Sequence, residues 1–172
     1  MAACTIRPLT RLEPGELAGL CALLIDCVEG GASVNFLLPM SHEKAERYWR
    51  SAAARLERGE LLLLVAEDER SIVGTVQLLF AQPENQPHRA DLGKMLVHRR
   101  ARRSGVGAAL LVAAETAARA AGRTLLVLDT ASAEAERLYA RGGWQRVGTV
   151  PHYALMPDGA PCATVFFYKS LG

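Results

Sequence analysis

The residues with the clearest chemical potential form one run, Val97-His98-Arg99-Arg100-Ala101-Arg102-Arg103-Ser104-Gly105-Val106-Gly107-Ala108. Four arginines fall within five positions, and two glycines follow where a helix is expected to begin. The first N–H groups of a helix lack intrahelical partners and attract anions, and glycine lets an anion approach the backbone. Arginine adds charge and forked donors. Such a loop suits a pyrophosphate. Its spacing excludes two common phosphate loops: no Lys follows the glycines as a P-loop requires, and Leu110 stands where a Rossmann fingerprint needs its third glycine. Taken alone, the run reads equally as a solvated basic turn ahead of a helix.

The loop needs a strand before it and a helix after it, and the pattern predicts both. Asp91 to Val97 reads as a strand, and Val106 to Ala121 as a small-residue helix with Gly122 just past its end. Upstream, Ile6–Leu9 reads as a short strand. A helix from Pro14 stops at Gly30-Gly31, and a second, capped by Ser41, carries Ala45, Tyr48, Trp49, Ala52 and Leu56 on one face and ends at Gly59. Glu60–Glu67 and Ser71–Ala81 predict a hairpin about Asp68-Glu69-Arg70. Downstream come a buried strand at Thr124–Leu128 and a short helix at Ala133–Arg141. Strands at Trp144–Val150 and Cys162–Lys169 follow, with a turn at Pro157-Asp158-Gly159. The result is one α/β (α+β) domain over residues 1–172.

Composition narrows the class further. A chain of 172 residues that is half hydrophobic can build one core, and 22% charged residues without biased tracts argue against disorder. The net charge of +2 argues against a general nucleic-acid binder, and the longest apolar run, Leu61–Ala66, is too short to cross a bilayer. The opening Met1-Ala-Ala-Cys-Thr-Ile-Arg7-Pro8 lacks the pattern of a secretory signal. Cys4, Cys21, Cys27 and Cys162 are dispersed, as are His42, His88, His98 and His152, so buried reduced thiols, a cytoplasmic setting and no metal are expected.

A second motif changes the weight of the first. Ala135-Glu136-Arg137-Leu138-Tyr139-Ala140-Arg141-Gly142-Gly143-Trp144 follows the Arg102-x-x-Gly105-x-Gly107 loop after one helix and one strand. The ordered pair, with Ala135, Leu138, Tyr139, Gly143 and Trp144 in the matching positions, resembles the GNAT N-acetyltransferases. The likeness extends to Gly30–Val34, Leu61–Glu67, Leu128–Thr130, Pro157–Gly159 and Lys169–Gly172, segments similar to those of family members that acetylate the amine of a small toxin. It implies a mixed, mostly antiparallel sheet, splayed between two parallel strands and flanked by helices on both faces. It also implies acetyl-CoA as cosubstrate, a small-molecule amine as acceptor, and a homodimer.

The resemblance also assigns residues. Met95, Leu96 and Val97 would bind the pantetheine arm through the strand backbone. Backbone N–H groups of Arg102, Arg103, Ser104, Gly105, Val106 and Gly107 would hold the pyrophosphate, with Ala108 and Ser132 also among the cofactor contacts. Ser132 takes the place of a frequent Asn, and His98 that of a common Pro. Tyr139 would protonate the departing thiolate, and the N–H of Val97 would stabilise an oxyanion. Asp91, four residues before Met95, is the nominated base, because several family members carry a glutamate base at that place on this strand; alternation would put Asp91, Gly93, Met95 and Val97 on one face. With a free pKa of ~3.9, an Asp needs a raised pKa or a relaying water for that work. Asp129 is a second carboxylate at the splay, able to orient an ammonium, act as base or cap the next helix. Ser33, Asn35 and Phe36 are candidate acceptor contacts, with Tyr153 a further wall and His152 a surface residue.

Three other readings remain open on these residues. The enzyme could acetylate a protein N-terminus or lysine. The Arg cluster could bind nucleic acid, with affinity falling steeply with salt. The chain could bind acyl-CoA without catalysis.

Overall fold

The computed structural model describes residues 4–172, so Met1, Ala2 and Ala3 of the segment read for a leader lie outside the described residues. The predicted elements form, with modest changes at their ends. Strand β1 (Thr5–Leu9) leads to helix α1 (Pro14–Glu29), whose start carries Pro14 in the first turn and a reciprocal Glu13–Glu16 capping box. Helix α2 (His42–Glu57) is capped by Ser41, whose Oγ accepts from Lys44 N at 3.1 Å. Strands β2 (Leu61–Glu67), β3 (Ile72–Phe80) and β4 (Arg89–Val97) follow. Helix α3 (Val106–Ala120), strand β5 (Leu125–Thr130), helix α4 (Ala133–Arg141) and strands β6 (Gln145–Leu155) and β7 (Pro161–Ser170) complete the chain.

All seven strands join one sheet in the order β1-β2-β3-β4-β5-β7-β6. Among the described residues only β4 and β5 run parallel, and the other neighbours are antiparallel. Alternation along β2 divides the core. Leu61, Leu63 and Val65 pack with α1 and α2 around fully buried Trp49, whereas Leu64 and Ala66 pack with α3. Gly74 lets α3 lie close on β3, because a Cβ there would stand 2.9 Å from Leu110 Cδ1 and 3.0 Å from Val106 Cγ1. Two of the four cysteines, Cys21 and Cys27, are buried, while Cys4 and Cys162 are only half-buried; all four are free thiols. No helix among the described residues is long and apolar enough to cross a membrane.

Two irregularities in the middle of the sheet make the site. The β3–β4 register shifts between Thr75 and Gln77, where Lys94 takes a left-handed φ of 46°. This bulge inserts one extra residue and reverses the strand's phase. Before it Ala90 and Leu92 face the α3 side; after it Met95 and Val97 do, and Leu96 turns into the α1–α2 core. Pairing of β4 with β5 then stops after Asp91↔Val127, so the two parallel strands part from Leu92 onward. The expected splay is present.

Candidate active site

Where the parallel strands part, a cleft of about 700 Å³ opens, lined from β4, β5, α4, the start of α3 and the Gly30–Asn35 loop. One wall is free backbone. His98 N donates to Val73 O at 2.8 Å, and Val97 pairs with Gly74 in the adjacent, oppositely directed position. Alternation therefore turns the Val97 N–H away from β3, toward the gap that β5 has vacated. Met95, Leu96 and Val97 all line the cleft, Leu96 with its side chain buried behind the strand.

At one end of the cleft the arginine loop meets α3. After a single 3₁₀ turn at Arg99–Ala101, Arg103 and Gly105 adopt left-handed φ values of 59° and 89°. No atom lies within 4 Å of a Cβ built on Gly105, so this conformation rather than crowding favours glycine there. The first helical N–H to find a partner is that of Ala109, which donates to Gly105 O at 3.0 Å. The N–H groups before it are left at the helix end, facing the cleft through Gly105, Gly107 and Ala108. A Cβ on Gly107 would reach Leu138 Cδ2 at 3.4 Å, so that glycine also brings α4 close.

The four arginines divide into two pairs. Asp26 accepts from the backbone N and Nε of Arg99 at 2.9 and 2.8 Å. Arg100 is bound by Asp68 and by Ser71 Oγ at 3.0 Å, and it holds the Asp68 carboxyl well below the usual carboxylate range. These two fasten the loop to α1 and to the β2–β3 turn. Arg102 and Arg103 have no carboxylate partner among the described residues and line the cleft. Ser104 Oγ donates to Ala101 O at 2.6 Å, and Val106 is buried against Gly74, so these two residues can offer a ligand only their backbone, as expected of the loop.

Deeper in, Tyr139 is 4% exposed, its ring set between Trp144 and Phe167 at centroid distances of 5.7 and 5.9 Å. It lines the cleft. Burial raises its pKa, and the Asp129 carboxylate raises it further, so the hydroxyl holds its proton at neutral pH. Asp129, at the end of β5, accepts from Thr164 Oγ1 at 2.8 Å and also lines the cleft. The cap of α4 is Ser132, whose Oγ accepts from Ala135 N at 3.3 Å, which removes capping as the role of Asp129. Ser132 lines the cleft as well.

Asp91 does not fit the place assigned to it. The bulge at Lys94 breaks the alternation that put it on one face with Met95 and Val97. It lies just before the strands part, outside the cleft lining, with its half-exposed carboxylate paired to Arg89. Phe36 is corrected too: it stays out of the cleft and packs edge-on against Tyr48 at 5.4 Å, while Ser33 and Asn35 do line the cleft. Tyr153 lines it from β6, and His152 is exposed at a φ of 52°. The residue that sequence reasoning missed is Lys94. A lysine inside the otherwise apolar Leu92–Val97 stretch was the available signal.

The geometry defines a class. A strand edge exposed inside a sheet, leading to a glycine-opened helix end with two arginines that have no carboxylate partner among the described residues, accommodates an extended thioester arm with an anionic tail. Residues 59–146 match the model of the acetyltransferase (GNAT) domain. The chain is also 34% identical over 127 residues, 73% of its length and 74% of the relative's, to an uncharacterized N-acetyltransferase of Azospirillum brasilense. The chain belongs to the GNAT acetyltransferase family, whose members are N-acetyltransferases with acetyl-CoA as cosubstrate. Solved structures share its fold. A ribosomal-protein-alanine N-acetyltransferase from Brucella melitensis superposes with a TM-score of 0.79 at 24% identity, covering 96% of this chain and 99% of that one. A phosphinothricin acetyltransferase from Sinorhizobium meliloti, solved with acetyl-CoA, gives 0.79 at 20% identity, covering 98% and 89%.

Proposed function

We propose that this single-domain enzyme acetylates the primary amine of a small, amino-acid-like or toxin-like molecule by direct attack in a ternary complex. The observation that carries the reading is the meeting of Tyr139 and Asp129 beside the free Val97 N–H in one cleft. Acetyl-CoA supplies an activated acetyl thioester. Arg102, Arg103 and the N–H groups at the start of α3 bind its phosphates, and the backbone of Met95 to Val97 aligns its arm. Asp129 orients the incoming ammonium and takes its proton, directly or through water. The Val97 N–H donates to the charge that develops on the carbonyl oxygen, and the Tyr139 hydroxyl gives its proton to the thiolate.

Several observations favour a small acceptor. The Gly30–Asn35 loop and Tyr153 wall the cleft on its acceptor side. The Gly30–Val34 and Pro157–Gly159 segments also resemble the tabtoxin resistance protein, which acetylates a toxin's amine. We place the enzyme in the cytoplasm, a reading supported by its four free thiols. We propose a homodimer, supported by exposed Val147, Val150 and Leu155 on the edge strand β6. Thiol release from acetyl-CoA across a panel of small amines and peptides tests the function. Turnover with free amino acids or related amines is expected, and turnover with peptides alone would assign the cleft to protein acetylation instead.

A further inference from the structure

Lys94 is a part-buried cation that the steps above do not use. Its left-handed backbone at the bulge turns it out of the strand's alternation and into the cleft lining. The ammonium lies 5.2 Å from the Tyr48 ring centroid and 5.9 Å from that of Phe36. Tyr48 is held in place by its hydroxyl, which donates to Gln77 Oε1 at 2.9 Å, and Phe36 meets it edge-on. No hydrogen bond or ion pair among the described residues satisfies Lys94 Nζ. Burial lowers its pKa from 10.5 to about 8, and the nearby Asp129 carboxylate opposes that change only in part. A part-buried cation without a contacting anion, on the lining of a ligand cleft, is prepared to receive one.

We propose that Lys94 is the specificity residue for the acceptor, binding a carboxylate that the acceptor carries near its amine. The inference rests on the function proposed above and narrows it to anionic amines of the free amino-acid kind. Two opposite charges are presented to such a zwitterion: Asp129 meets the ammonium and Lys94 meets the carboxylate. Asn35 and Ser33 lie at the same wall and can add hydrogen bonds. Behind the cleft, the Phe36 and Tyr48 rings attract the ammonium and fix its position. A peptide N-terminus has an amide where a free amino acid has its α-carboxylate, so it leaves the lysine unmatched. Such a site discriminates, since the missing partner leaves a part-buried charge unmatched.

The test is calorimetric titration of the CoA-loaded protein with each common L-amino acid and its carboxamide, alongside β-lactam-bearing amino acids and their amides. Turnover of the same pairs is measured separately by thiol release. At least one free acid is expected to bind 10-fold or more tighter than its amide. Lys94→Met should weaken the acid by 10- to 100-fold and the amide by less than threefold, and Lys94→Arg should recover part of the loss. Equal binding of acid and amide by the wild-type protein, or equal weakening of both by Lys94→Met, overturns the proposal, as does a panel in which no free acid binds. Discrimination in binding without turnover of any amine would uphold the role of Lys94 while refuting the proposed acetylation.

Discussion

Replacing Lys94 by Met should stabilise the free protein, by an amount that depends on pH in a defined direction. In the folded protein the ammonium titrates at about 8, against 10.5 for an ordinary lysine, because burial strips it of water. At about 1.4 kcal/mol for each factor of ten in proton affinity, that difference corresponds to about 3 kcal/mol. The sign follows from proton binding. Between pH 8 and 10.5 the unfolded chain holds more protons at this lysine than the folded one, so wild-type stability rises with pH across that window. The cost is complete below pH 8 and gone above 10.5. Urea unfolding of both proteins at pH 7 and at closely spaced values up to pH 10.5 measures it. Lys94→Met should be the more stable at pH 7 by about 3 kcal/mol, with the advantage closing as the pH rises. A variant less stable than wild type at pH 7, or a constant difference across the range, would refute the reasoning.

Other consequences are more local. Gly105→Ala forces a Cβ into a left-handed backbone at φ 89°, which costs about 1–2 kcal/mol and should lower Tm; calorimetry in the absence of ligand checks it. Glu115 is 7% exposed and accepts from Trp144 Nε1 at 2.9 Å and from Lys169 Nζ at 2.7 Å. Glu115→Ala strands that lysine, and denaturant unfolding should show a loss of about 3 kcal/mol. Arg102→Ala combined with Arg103→Ala should raise the KM for acetyl-CoA at least 10-fold and flatten its salt dependence. By contrast, Arg99→Ala should lower thermal stability more than cofactor affinity, because Arg99 is already committed to Asp26.

Much of this architecture was legible in residue spacing, for physical reasons. Helical periodicity and Ser41 marked α2, because an amphipathic stripe and a cap are local properties. The glycines of the arginine loop located α3, since a left-handed residue before a helix strongly favours glycine. The Lys94 bulge was not legible, because an extra residue in a strand is decided by its partner's register rather than by its own pattern. That one extra residue is why strand alternation alone puts Asp91 on one face with Met95 and Val97, and why the sequence pattern does not single out Lys94. Nor could spacing divide the arginines. Arg99 and Arg100 look like Arg102 and Arg103 until Asp26 and Asp68, 73 and 32 positions away, are folded against them. Phe36 illustrates the same limit: an apolar residue in a loop must pack on something, and its partner proved to be Tyr48 rather than a ligand.

The central claim is that Tyr139 and Asp129 act together on a small amine in the cleft between β4 and β5. The most direct measurement is the rate of CoA thiol release with saturating acetyl-CoA and the preferred amino acid, for the wild type, Tyr139→Phe and Asp129→Asn. The Tyr139 hydroxyl makes no hydrogen bond among the described residues, so Tyr139→Phe should keep the wild-type Tm. The account predicts amine-dependent release by the wild type and a fall in kcat of about 10- to 100-fold in each variant, with acetyl-CoA still bound. Wild-type rates in both variants, or no amine-dependent release from a wild-type protein that binds acetyl-CoA, would contradict it.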